Sequence, residues 1–483
     1  MTLAAQTAWT LLRGAAVASA AIATGRPLSA LAANARRPVR AVVWALILLP
    51  YLVPVVLVGY VYARASLALI RLPLLNELLY DLLLLIRFVP VAVVVLHFAP
   101  SQLSREARHC RRLLFVPTRR DRRPVREVLS FFIHGPARKL AVAWAVVFLF
   151  AFAEFELANL MNVRTWTRSL FDAHAGGLAL TESIRLAALP ILCEGAVLLL
   201  VCGMLFAGRA SAEAFRERPP VPGRPGRWFA RAWIVLAASV GAGYPLAVVI
   251  VGAFRGLNVL RENLILAKDI AASLLFAVCA AVVTYTVAGW FAHRPKRPDS
   301  SGLGRLVAAF VLSLPGLLGA LVLGLVVLSL FQWTPLRAAY DTPLPLVTAL
   351  VLWLFPFAVL LRVLLYVLRP GPAVHVAGLP DVSGSVQPSV RRRARALLYE
   401  LKTRPRFWVL FLLFFWAYFE LVVSALLAPS GMTPAPVRLY NMMHYGQIAG
   451  LSAMVFVAFL VPFVLLALTA GVRHAAGGLR SHG

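Results

Sequence analysis

FELVVSALLAPSGMTPAPVRLYNMMHYG (residues 419–446) leaves a long apolar run through a glutamate and ends in His-Tyr-Gly. A shorter version, FELANLMNVRTWTRSLFDAHAG, stands at residues 155–176. Working outward, LPYLVPVVLVG (49–59) and LPGLLGALVLG (314–324) share Leu-Pro, eight residues and then Gly, at an offset of 265. The FEL triplets lie 264 apart. Beyond them Leu170-Phe171-Asp172 matches Leu439-Tyr440-Asn441, and His174-x-Gly176 matches His444-x-Gly446. A near-constant offset over so long a stretch is the signature of an internal repeat.

The chain of 483 residues is 61% hydrophobic, with a mean hydropathy of +0.82. Soluble domains average ~45–50% apolar residues. An all-α polytopic membrane protein embedded in a lipid bilayer is therefore expected. Ten apolar segments have the length of a span: 41–63, 78–99, 139–160, 185–207, 231–253, 269–292, 305–331, 344–368, 406–428 and 448–471. A weaker eleventh, 3–24, contains Arg13.

The net charge of +29 would suggest nucleic acid in a soluble protein. Here it is explained by sidedness. Of 48 Lys and Arg, 32 lie in alternate segments (25–40, 100–138, 208–230, 293–305, 369–405 and the C-terminus). The intervening loops hold 9. Basic loops stay in the cytoplasm, so eleven spans put the N-terminus outside and no nucleic-acid partner is needed. Both FEL segments run from a basic loop toward a poorly charged one. The repeats are therefore expected to be parallel, over 1–228 and 229–483.

Little in the sequence points to catalysis. There is no GxxxxGK[ST], and none of the four lysines follows a glycine, so the chain has no phosphate-cradling lysine loop of its own. No nucleophile–base or paired-carboxylate pattern stands out. Cys110, Cys193, Cys202 and Cys279 show no metal-binding spacing. The expectation is a non-enzymatic protein with no cofactor and no resident metal.

Taken together, these residues resemble the fused permease subunit of binding-protein-dependent ABC importers, the type I group with a MetI-like core, and most of all the ferric iron permeases. The resemblance implies a Leu-Pro helix in each half, a cytoplasmic coupling loop, a glutamate-bearing helix and a closing span. By that scheme the first half is one N-terminal span short. The resemblance also implies two partners: an ABC ATPase subunit that binds the ATP, and a periplasmic or extracytoplasmic substrate-binding protein. It implies residence in the inner, cytoplasmic membrane. The family's coupling loop reads near EAA-x3-G. Ser104, Glu106 and Ala107 stand where that motif starts, with Arg108 and Arg112 replacing its second alanine and its glycine. In 369–405 there is no such triplet, only a basic amphipathic helix near 390–403 that carries Arg392 and Arg393. An ion-coupled secondary carrier and a non-transporting scaffold derived from a permease are the alternatives.

Charged residues inside spans need a partner or a wet cavity. Glu154, Glu156 and Glu420 are candidates to line the substrate pathway, with Glu156 and Glu420 paired by the repeat. Carboxylates there would suit a cation such as ferric iron. Asp81, Arg87 and Glu194 read as structural. Tyr440, His444 and Tyr445 read as an interfacial aromatic belt.

Overall fold

A computed structural model describes residues 3–98, 138–207, 221–260, 264–293, 302–368, 371–382, 387–444 and 448–479. The described residues contain helices and no strand. Eight of these helices are long and apolar enough to cross a membrane, or nine spans if one bent pair counts as one. The expected positions largely hold, but three expected spans are broken, and a fourth, 139–160, is interrupted between Phe152 and Glu156.

The first is 41–63. Here α2 (Arg37–Leu52) and α3 (Val55–Ala68) meet at 67°. Pro54 lacks an amide donor, and residue 53 before it is pushed to an extended conformation. The second is 305–331, split into α12 (Gly302–Leu317) and α13 (Ala320–Gln332) at Gly319, whose φ is +84°. The third is 406–428. There α17 (Arg404–Phe419) stops at an extended Glu420, and a short α18 (Val422–Leu427) follows.

The chain forms two compact units, Met1–Gly252 with Asp299–Leu325, and Ala253–Pro298 with Val326–Gly483. In the first, α1 (Leu3–Asn34) packs on α4 (Pro73–Phe98) and α5 (Arg138–Phe152). The segment 3–24 looked weak because α1 is rich in small residues, and those residues are its packing face. Gly14, Ala18, Ala21, Gly25 and Ala32 are buried along it. A Cβ at Gly25 would come within 3.3 Å of Ala92, and one at Gly14 within 3.3 Å of the Phe148 ring. Small residues let helix backbones approach closely where lipid provides no hydrophobic drive.

After α5 come α6 (Glu156–Leu160), α7 (Trp166–Ala175) and the spanning α8 (Leu180–Ala207). α9 (Arg224–Ala238) continues through a π turn, Ser239–Gly243, into α10 (Tyr244–Leu260). The π turn frees a carbonyl, and the Tyr62 hydroxyl donates to Val240 O at 2.8 Å. α12 packs on α8, which places it in the first unit.

In the second unit α11 (Leu264–His293) packs on α14 (Pro343–Leu368) and α17. The loop between α14 and α17 holds α15 (Gly371–Val382) and α16 (Pro388–Leu398), which pack on one another. α19 (Ala435–His444) and the spanning α20 (Ile448–Leu479) close the chain.

Candidate functional site

A helix that starts inside a bundle exposes amides which, in lipid, must find internal partners. Both broken helices solve this with a glutamate. Glu154 Oε1 accepts from Leu157 N at 2.6 Å, and Oε2 from Ala158 N at 3.1 Å. Glu420 Oε1 accepts from Val423 N at 2.8 Å, and Oε2 from Ser424 N at 3.0 Å. The bonds fall at i+3 and i+4 in each case. In capping geometry Glu420 matches Glu154, 266 residues before it, whereas the FEL triplets align it with Glu156. Glu156 lies in the first turn of α6, where a negative charge favours the helix N-terminus.

The segments after each break are anchored in matching ways. In the first unit Met161 O, at the end of α6, accepts from Ser66 Oγ, and from Asn76 Nδ2 at 3.1 Å. Thr165 caps α7 by accepting from Arg168 N at 3.2 Å. Thr10 Oγ1 of α1 receives Trp166 N at 3.4 Å. In the second unit Asp341, just before α14, takes both the amide and the hydroxyl of Ser430 at 2.8 Å. Those two bonds pull the Asp341 carboxyl below the usual aspartate range. Ser273 Oγ of α11 receives Ala435 N, the first amide of α19, at 2.7 Å. Arg438 Nε reaches Asp269 at 2.8 Å.

Glu154 also belongs to a buried polar chain. Tyr80 OH donates to its Oε2 at 2.8 Å. Arg13 stands 5.1 Å over the Tyr80 ring, pairs with Glu77 and lies 3.3 Å from Asp81. Trp9 Nε1 donates to Glu77 at 2.7 Å. Asp81 thus answers to Arg13 on another helix. Arg87 sits 5.6 Å over the Tyr51 ring of α2. Sequence reasoning missed the role of Arg13. The available signal was an arginine inside an apolar segment, which demands an acid on another helix.

The capping carboxylates are committed to amides, so they hold the breaks in place before they can do anything else. Glu194 on α8 differs: it is 1% exposed, and both oxygens lack a hydrogen-bond partner among the described residues. It falls on the buried stripe Ser183, Ala187, Pro190, Glu194, Leu198, Val201. Arg392 and Arg393 are exposed on α16. Ser104, Glu106, Ala107 and Tyr445 lie outside the described residues. Among the described residues no three His, Cys, Asp or Glu side chains gather as metal ligands. The chain matches no protein-family model, no curated protein and no solved structure.

Proposed function

We propose that the chain is the membrane permease of a solute importer, built from two copies of one helical unit and driven by an ATPase on another polypeptide. The carrying observation is the doubled helix break, Glu154 with Leu157 and Ala158, and Glu420 with Val423 and Ser424. Around it the element order repeats: a long helix, a broken Leu-Pro helix, a span, a glutamate-ended helix, two short helices and a closing span. In this reading α1 and α11 are counterparts, and α9–α10 is an added segment between the copies. The charge pattern makes the copies parallel and brings the chain to about eleven crossings in a cytoplasmic membrane. Two polar side chains at matching places, Thr10 and Ser273, support the same register.

Movement of solute would follow alternating access, with a binding protein delivering it from outside. The exposed, basic α16 in the loop 369–405 suits docking on a soluble ATPase. The carboxylates Glu77 and Asp81 against the single Arg13 leave a negative balance near one end of the first unit, which favours a cationic solute, ferric iron among them. The test is reconstitution of the full chain with the ATPase and binding protein encoded beside it. Binding-protein-stimulated ATP hydrolysis that falls at least tenfold in Arg392→Glu/Arg393→Glu supports the reading. Hydrolysis indifferent to the permease defeats it.

One observation favours a second reading, an ion-coupled carrier. Glu194 is a buried carboxylate with no bonding role among the described residues, and such groups mark ion or proton paths in membrane proteins. Uptake into proteoliposomes under a pH gradient, without ATPase and abolished by Glu194→Gln, would select this reading.

A further inference from the structure

The second unit carries a cationic site that the helix breaks do not explain. Arg362 lies six residues before the end of α14. Its guanidinium stacks 3.7 Å from the centre of the Tyr285 ring on α11, and Nη2 donates to Tyr285 O at 2.6 Å. Gly289, one turn further along α11, makes the room. A Cβ there would stand 2.5 Å from both Cζ and Nη1 of Arg362. Arg362 Nε is buried and donates to no acceptor among the described residues. Arg406, the third residue of α17, stands in the first turn of a helix that packs on both α11 and α14. The neighbouring Arg404 is neutralised by Glu400 at 2.6 Å. Neither Arg362 nor Arg406 makes an ion pair with an acid among the described residues.

Cations without an acid partner at one end of a helix bundle favour an anion beside them. The location says where such an anion would come from. α11 and α14 both run toward basic segments, and α17 emerges from one, so this end faces the inner leaflet by the charge rule. Arg362 lies ~9 Å inside the end of α14, at 1.5 Å per residue. Trp290 and Trp408, 64% and 44% exposed, stand near the same end, as aromatic residues do at headgroup level. The first unit lacks this feature. At its corresponding helix crossing, Gly25 of α1 faces Ala92 of α4. The crossing therefore needs only small residues, and the arginine is not required to hold it.

We propose that Arg362 and Arg406 bind a phosphate group at the inner-leaflet end of α11, α14 and α17. Guanidinium forks match phosphate oxygens in pairs, and basic pockets between helices on the cytoplasmic side bind acidic lipid headgroups. This inference does not depend on the permease reading. The test uses the purified, delipidated full chain and an equimolar mixture of phosphatidylglycerol and phosphatidylcholine, with bound lipid counted by native mass spectrometry. A parallel arm adds inorganic phosphate and follows the melting temperature. The wild-type chain is expected to retain phosphatidylglycerol over phosphatidylcholine. Arg406→Gln, which breaks no ion pair seen among the described residues, should reduce that retention about tenfold, or ~1.4 kcal/mol. Gly289→Ala should do the same with both arginines still present, because it displaces the Arg362 guanidinium. A melting shift with inorganic phosphate alone, lost in Arg406→Gln, would make free phosphate the source and still support the site. Equal lipid retention by wild type and both variants, with no phosphate-dependent shift, would overturn the proposal.

Discussion

Glu154 and Glu420 each spend both oxygens on two backbone amides. Replacing either with alanine removes a cap and leaves buried donors unpaired, at a cost of about 1–3 kcal/mol. Glu154→Ala and Glu420→Ala are expected to lower the melting temperature in detergent. Glu420→Gln should lower it less, because one carbonyl oxygen still accepts. A Gln variant as unstable as the Ala variant would show that charge, and not capping, matters at this position. Arg13 makes a different demand. Arg13→Leu leaves the part-exposed Glu77 and Asp81 without their cation, a loss of about 1–3 kcal/mol. Arg13→Leu/Glu77→Gln/Asp81→Asn should recover most of it. No recovery in a denaturant titration would mean that the arginine acts through its other contacts, the Tyr80 ring and the Arg164 carbonyl, alone.

At the scale of the element, the breaks are made by local chemistry and then locked by neighbours. Gly319 has φ +84°, and a Cβ there would stand 3.0 Å from Ala153 Cβ. Gly319→Ala would combine an unfavourable backbone conformation with overpacking, about 1–3 kcal/mol. Reduced thermal stability is expected, while a matched control at the open Gly431 is expected to stay within ~0.5 kcal/mol. The Asp341–Ser430 link gives a pH effect of known sign. The carboxyl titrates below its free value of about 3.9, so the link is fully present above that value. It is lost as pH falls through the depressed one. Loss of exchange protection at the Ser430 amide, relative to its intrinsic rate, should appear in wild type only in acid, and at every pH in Asp341→Ala. Exchange protection that ignores pH in the wild type would refute the link. Element positions were legible in the sequence because hydropathy and proline placement are local properties. The breaks at Gly319 and Glu420 were not, because an apolar run stays apolar through a kink.

For the whole molecule, sidedness is the main expectation. In a chain freed of its native cysteines, Arg392→Cys should react with a membrane-impermeant thiol reagent only after cells are opened. Thr342→Cys should react in intact cells. The same labelling for both would overturn the orientation drawn from charge. Sequence alone determined that this is a many-span helical membrane protein with alternating basic loops. Apolar length and loop charge are sums along the chain, and they survive any packing. Tertiary structure alone decided that Glu154, and not Glu156, caps a broken helix as Glu420 does, and that Arg13 joins Glu77 across 64 residues of sequence. A triplet such as FEL records residue identity, whereas a cap depends on which carboxylate reaches the next helix's amides. An ion pair likewise depends on which helices meet, and the low dielectric between them makes the choice of partner decisive.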